Sequence, residues 1–420
     1  MKSNNGVTLT EMGKRAKEAS IELAKLPAEN KNNALQKMAT SLEESKDKIL
    51  SANTKDVEAA NKRGLKLALV DRLALDEPKL KEMARCLREV AELPDPVGSI
   101  VSTSMRPNGL MIGQMRVPLG VVGVIYESRP NVTSDAAGIC IKSGNAIILR
   151  GGSDAIGSNL AIVEALKTAL TDTGVPSDAI QIISSMERSI VEEFMQMRDY
   201  VDVLIPRGGA DLIRTVVEKA SIPVIETGTG NCHIYVEEDA DLENAIRIVV
   251  NAKCQRPGTC NAAEKLLVNS KVAQSFLPRV ISALRVEGVE VRADEQTSRI
   301  VPDVKPATEK DWYTEYLDLI IGVKVVRDMD EAIAHVNKYG SKHSESILTA
   351  NFEKAMRFIR EVDAAAVYWN ASTRFTDGNQ FGLGAEIGVS TQKLHVRGPM
   401  SVQHLTTTKY FILGKGQIRE

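Results

Sequence analysis

Along residues 8–92 the apolar positions recur at helical spacing. Leu9, Met12, Ala16, Ala19 and Leu23 share one face, and Thr8-Leu-Thr-Glu11 ahead of them reads as a capping box. The stretch predicts a helical layer without an obvious reactive group. ELPDPVGS then interrupts the period with two prolines and a glycine. STSMRPNGLMIGQMRV predicts two short extended runs folded about Pro107-Asn108-Gly109, a hairpin. Between residues 120 and 225 the apolar runs VVGVIY, AIILR, IQIIS, DVLIP and IPVIE alternate with amphipathic stretches such as SNLAIVEALKTAL. Buried strands alternating with helices predict βαβ units and a mainly parallel sheet, so the chain is of the α/β class. A second α/β stretch runs from Cys232 to Ala371, and the alternating LTTTKYFIL near the end predicts a further strand.

In parallel sheets ligands bind beyond the carboxyl ends of the strands. There the sequence places Glu127-Ser-Arg129-Pro, Arg150-Gly-Gly-Ser153, Pro206-Arg-Gly-Gly209 and Glu226-Thr-Gly-Thr-Gly230. Any one of these is an ordinary glycine-rich turn. Four at one edge point to a cleft for a phosphate-bearing ligand, because glycine admits the backbone and guanidinium matches phosphate. A complete GxGxxG is absent, since Gly228-Thr-Gly230 continues into Asn-Cys-His.

Composition narrows the classes. A chain of 420 residues has room for two or three domains, and its hydrophobic and charged fractions, 43% and 26%, are those of an ordinary soluble protein. A net charge of -2 with 4% aromatic residues argues against a nucleic-acid partner. GVVGVIY, cut off by Glu127 and Arg129, is too short for a bilayer, and the N-terminus lacks the apolar core of a signal peptide. Five scattered cysteines fit the reduced thiols of a cytoplasmic protein, and without CxxC pairs no metal site is expected. Cys86, Cys140, Cys232 and Cys254 lie in helical or strand-like runs and read as small hydrophobes. Cys260 differs: in QRPGTCNA it follows a Pro-Gly turn and stands between Thr259 and Asn261, the setting of a reactive thiol.

At this point the motifs converge on a resemblance. PRGG, ETGTGNCHIY, NAKCQRPGTCNAAEKLLV, GSKHSESI and NASTRFTDGNQFGLGAEIGVSTQKLHVRGP together resemble the gamma-glutamyl phosphate reductase (glutamate-5-semialdehyde dehydrogenase) family of the aldehyde dehydrogenase superfamily. The resemblance implies an aldehyde-dehydrogenase-like fold with a Rossmann-type cofactor domain over residues 1–102 and 118–228. It further implies an α/β catalytic domain over 229–395 and a small β oligomerisation flap over 103–117 and 400–420. The stand-alone enzyme is expected, not the form fused to a kinase. The implied activity is NADPH-dependent reduction of L-glutamyl 5-phosphate to the semialdehyde with release of phosphate, on the route to proline. The implied partners are further copies of the chain, with a glutamate 5-kinase as a candidate whose direct handover of the labile acyl phosphate the sequence leaves open; no nucleic acid and no membrane is expected.

Roles follow residue by residue. Cys260 exchanges phosphate for a thioester. Only the thiolate attacks, and lowering a thiol from pKa ~8.5 to ~7 takes roughly 2 kcal/mol of local electrostatics. Arg256 and the loop amides are candidate sources. The Cys260 amide and the Asn261 side chain are candidate oxyanion donors, each worth about 3 kcal/mol. The resemblance aims Arg150 at the adenosine ribose; Ser153 stands where NAD-preferring relatives often hold a glutamate, which favours NADP. Arg207, Gly208 and Gly209 form the turn beneath the nicotinamide half, and Glu315 takes the nicotinamide ribose. Arg129 stands where hydrolytic relatives carry an asparagine donor, placing a cation for phosphate or carboxylate. Ser372, Thr373 and Arg374 are candidates for the substrate's α-carboxylate and amine. His343 is open between a phosphate contact and a structural role. Glu226 stands where hydrolytic relatives hold their general base, so a hydrolytic aldehyde dehydrogenase and a non-catalytic nucleotide-binding scaffold are the competing readings.

Overall fold

The computed structural model describes residues 2–4, 7–65, 67–127 and 129–419; Ser128, within the Glu127-Ser-Arg129 run, lies outside the described residues. Over residues 9–92 the helices are Leu9–Leu23, Ala28–Glu44, Lys46–Lys62, Leu67–Leu73 and Glu77–Glu92. The face predicted for the first one is buried at Leu9, Met12, Ala16, Ala19 and Leu23. Its cap forms by half: Thr8 Oγ1 accepts from the Glu11 amide at 3.2 Å, while the Glu11 carboxylate turns to Arg15 Nε at 2.9 Å. The i,i+4 ion pair competes with the return bond of a capping box and wins.

The chain divides into two compact units, one of Met1–Glu226, Gly382–Gly388 and Met400–Glu420, the other of Thr227–Phe381 and Val389–Pro399. The first holds a four-stranded parallel sheet. Val121–Tyr126 lies between Ala146–Arg150 and Val203–Arg207, and Ile180–Ile182 flanks Ala146–Arg150. Val121, Val122, Val124, Ile147, Ile148, Leu204 and Ile205 are buried, the doubly covered signature of βαβ units. One expected strand is missing. IPVIE makes a single parallel bridge, Leu204 to Val224, because Pro223 offers no amide to continue a ladder. The expected hairpin is present: Ile100–Met105 pairs antiparallel with Met111–Pro118, which pairs along its whole length with Thr406–Leu413. Gly109 takes φ +82° at its tip.

The second unit is built on seven parallel strands in the order Lys305–Pro306, Glu290–Ala293, Ile320–Val326, Ala263–Asn269, Cys232–Val236, Ser344–Leu348 and Ala366–Trp369. Leu242–Cys254 and Ser270–Val286 bring Val249, Phe276, Leu277 and Val280 onto one face. Met329–Tyr339 and Phe352–Glu361 bring Val336 and Phe358 onto the other. Residues 376–388, in the FGLGAEIGVST region, form no strand; only Val389–Ser390 pairs, with Gly398–Pro399. Among the described residues no helix is long and apolar enough to cross a membrane.

Candidate active site

In the first unit the parallel strands bring the expected turns to one carboxyl edge. Ile125 is level with Arg150, Tyr126 is level with Arg207, and the Glu127 amide donates to the Arg207 carbonyl at 3.1 Å. Helices begin just beyond, at Asn131–Lys142, Ile156–Asp172 and Ala210–Lys219, so their N-terminal amides face this edge. Arg129 precedes the first of these and is half-buried; Ser153, exposed, opens a 3-10 turn ahead of the second. The fourth glycine run is divided, Glu226 in the first unit and residues 227–230 in the second.

Two observations fit this edge to an anionic nucleotide. The Gly209 amide, at the start of its helix, already holds an anion, Glu127 Oε2 at 2.9 Å. Gly208 permits that approach, since an added Cβ would fall 2.7 Å from the Glu127 carboxyl carbon. Arg150 is half-buried, with Nε shielded from water and lacking a hydrogen-bond partner, while another of its nitrogens donates to the Gly151 carbonyl. Burial lowers its pKa, so an arriving anion would be favoured.

In the second unit Cys260 lies in a turn between the Leu242–Cys254 helix and the Ala263–Asn269 strand, at the amino ends of the strands. The same edge holds Cys232, Ser344 and Ala366, first residues of neighbouring strands. Gly230 packs directly on the thiol's own peptide: a Cβ there would lie 1.4 Å from the Cys260 carbonyl oxygen. Cys232 Sγ donates to that oxygen at 3.2 Å. Glu315, expected at a ribose, accepts from the Gly230 amide through Oε1 at 2.6 Å.

Behind the next residue runs a continuous polar chain. Asn261 Nδ2 donates to the carbonyls of Thr376 at 3.0 Å and Arg374 at 3.3 Å, and Thr373 Oγ1 donates to the Asn261 carbonyl at 2.7 Å. Thr376 Oγ1 is bonded to Ser344 Oγ at 2.6 Å and Tyr368 OH at 2.7 Å, and Ser344 Oγ to His343 Nδ1 at 2.8 Å. His343 Nδ1 in turn lies 4.0 Å from Cys232 Sγ. Ser372 is buried, its Oγ accepting from the Arg374 amide at 3.3 Å. Arg374 Nε donates to Gln255 Oε1 at 2.8 Å, and a terminal nitrogen donates to Asn261 Oδ1. Arg256 is exposed on the loop itself, its carbonyl accepting from Thr259 Oγ1 at 2.8 Å.

Lys265, buried on the adjoining strand, acts electrostatically on His233, Glu345 and Cys232. His233 and Glu345, fully buried, share a 3.1 Å hydrogen bond. Burial raises the Glu345 pKa and lowers that of His233 to about 3, so it disfavours the charged form of each. The other thiols are disarmed likewise: burial pushes Cys86 up to about 12 and raises Cys140, Cys232 and Cys254. The Gly230 and Cys232 contacts and the Thr376 network were not read from sequence. ETGTGNC and SKHSES, the motifs that carry them, were the available signal.

The aldehyde dehydrogenase family model matches residues 3–318 and 306–409. The chain is 60% identical over 97% of its length to a gamma-glutamyl phosphate reductase of Carboxydothermus hydrogenoformans, 98% of which is covered. It is 57% identical over 98% of its length to one of Dictyoglomus thermophilum, covered to 99%. The crystal structure of a gamma-glutamyl phosphate reductase from Thermotoga maritima superposes with a TM-score of 0.95 at 53% identity, over 98% of this chain and 99% of that one. On these grounds the chain belongs to the gamma-glutamyl phosphate reductases of the aldehyde dehydrogenase family.

Proposed function

We propose that the protein reduces L-glutamyl 5-phosphate to glutamate 5-semialdehyde with release of phosphate, through a thioester on Cys260. The observation that carries this reading is the contrast among the thiols. Cys260 alone is a half-buried cysteine in a polar turn, within a family whose named members reduce gamma-glutamyl phosphate. The Cys260 thiolate attacks the acyl carbon, the bond from that carbon to the phosphate oxygen breaks, and phosphate departs with the electron pair. A nicotinamide nucleotide, when bound, supplies the hydride. The Cys260 sulfur then leaves as thiolate while the carbonyl re-forms as aldehyde.

The hydrogen bonds refine the roles. Asn261 directs its amide to the Arg374 and Thr376 carbonyls, so we assign it to holding the loop and leave the oxyanion to the Cys260 amide. Ser372 and Thr373, buried and engaged, hold the same turn. Arg256, exposed four residues before the thiol, is assigned to the departing phosphate, and Arg129 to an anionic group of the substrate. Arg150, Ser153, Arg207, Gly208 and Gly209 are assigned to the nucleotide. The uncharged Ser153 favours NADP, because a carboxylate there would repel a 2′-phosphate. Glu315, now on the Gly230 amide, is the further cofactor candidate.

The sheet of Ile100–Met105, Met111–Pro118 and Thr406–Leu413 exposes Ile100, Met105, Tyr410 and Ile412, and among the described residues its two outer strands, Ile100–Met105 and Thr406–Leu413, each have an open edge. This supports a homo-oligomer of even order, which light scattering tests. Handover from a glutamate kinase, in the cytoplasm, completes the proposal; a coupled assay with kinase, ATP, glutamate and NADPH checks it. The reaction itself is tested in reverse. With the semialdehyde and NADP+, turnover should require added phosphate. Full rate without phosphate would mean hydrolysis of the thioester, with Glu226 as base.

A further inference from the structure

The Cys260 loop stands at an edge that disfavours a thiolate. The Leu242–Cys254 helix ends there, and a helix C-terminus presents carbonyls and partial negative charge. Behind it, His233 and Glu345 are fully buried and hydrogen-bonded to each other, and Cys232 gives its hydrogen bond to the Cys260 carbonyl. Glu315, on the Gly230 amide, brings a carboxylate towards the same peptide. His343 joins Ser344 and Cys232. Cations near the thiol include Arg256, exposed on the loop itself, and Arg374, with Asp377 acting on the latter, while Lys265, buried on the adjoining strand, acts on Cys232.

Arg374 is the better held of the two. Its fork spans Gln255 and Asn261, the residues that bracket the reactive turn, and its own carbonyl takes a hydrogen bond back from Asn261 Nδ2. A guanidinium committed to two protein acceptors is preorganised and less suited to gripping a substrate carboxylate. We propose that Arg374 is a positioning residue that locks the Cys260 turn and supplies the positive charge stabilising its thiolate, and that it does not bind the substrate. Burial, then Arg256, lowers the Arg374 pKa, while Cys260 acts on it in the opposite sense, as the partner of a cation would.

The inference rests on Cys260 being the nucleophile, but its test reads the thiol directly and needs no turnover. Iodoacetamide alkylation of Cys260, followed by peptide mass spectrometry across pH, reports the thiolate fraction. Arg374→Met should raise the apparent pKa of alkylation and slow the reaction about tenfold at pH 7, as one pKa unit requires. Arg374→Lys keeps charge without the fork, so alkylation should stay within about threefold of wild type while kcat falls. Gln255→Ala, at an exposed position, loosens one arm of the fork and should shift alkylation in the same direction as Arg374→Met, by less. It serves as well if Arg374→Met does not fold. In all three, KM for the substrate should stay within about threefold. An alkylation profile unchanged in Arg374→Met and Gln255→Ala would overturn the proposal, as would a large rise in KM with kcat intact, which would make Arg374 a substrate ligand. Loss of the nucleophile reading itself would show differently, as turnover that survives removal of the Cys260 sulfur.

Discussion

The two sheets offer opposite edges to chemistry. In the first unit the glycine turns lie at the carboxyl ends of the strands, where three helices begin and their amides point outward. In the second unit the Cys260 loop, proposed to carry the nucleophile, lies at the amino ends, where a helix finishes. One edge is suited by its backbone to receive an anion; the other must stabilise an anion with side chains. The state of the polar groups matches. The first edge keeps a buried Arg150 Nε without a partner and a Gly209 amide held by an exposed glutamate carboxylate. Around Cys260, Gln255, Thr259, Asn261, Thr373, Arg374 and Thr376 are tied to one another. A surface that receives a ligand keeps donors in reserve, whereas an attacking atom has to be aimed before the ligand arrives.

That contrast can be broken most severely at Gly230. Gly230→Ala drives a methyl into the Cys260 carbonyl, so kcat/KM should fall by about a hundredfold or more, while nucleotide affinity, measured by fluorescence titration, should change far less, through Glu315 alone. Equal loss of both would show that the loop and the nucleotide edge are not separately built. Smaller is the hydrogen bond from Cys232. Cys232→Ala should lower kcat roughly three- to tenfold, the worth of one such bond, and Cys232→Ser should restore most of it. Cys140→Ala, at a buried thiol of the first unit that takes no part in this chain of bonds, should cost stability in a thermal melt and leave kcat alone.

On the nucleotide edge the expected effects are gentler. Glu127→Gln weakens the resident anion on the Gly209 amide, so nucleotide Kd should fall about two- to fivefold with Cys260 alkylation unchanged. Weaker nucleotide binding would mean that Glu127 organises the turn instead of competing for it. Asp135, beside this edge, gives a pH test. Burial first, then the nearby Glu82 and Glu386, raises its pKa to about 7, and Oδ1 is without a hydrogen-bond partner. The folded state therefore holds a proton that the unfolded chain releases near pH 4, and the associated stability is present at low pH and lost as pH rises towards 7. Asp135→Asn should flatten this part of the thermal-stability profile, by on the order of 1–3 kcal/mol. An unchanged profile would place the proton elsewhere.

Much of this was legible in the residues. Alternating apolar runs announced the first sheet because a doubly covered strand leaves no room for polar positions, and Pro107-Asn108-Gly109 announced the hairpin by its turn chemistry. Cys260 stood out because a polar loop is the wrong place for a structural thiol. What stayed hidden depended on distance in sequence. Nothing local shows that Gly230 touches the Cys260 carbonyl, 30 residues on, or that the 373–376 turn closes over the loop from more than a hundred residues away. IPVIE misled because its apolar content fits a strand while Pro223 removes the ladder amide. Asn261 was read as an oxyanion donor from its neighbour's chemistry; only the structure shows where its amide points.

The measurement closest to the central claim is made on Cys260→Ala. Turnover of the semialdehyde with NADP+ and phosphate should drop by at least about 10⁴-fold, the scale on which loss of a covalent nucleophile is felt. Nucleotide affinity should stay within about twofold, since the edge proposed for the nucleotide belongs chiefly to the first unit. Turnover near the wild-type rate without that sulfur would contradict the account.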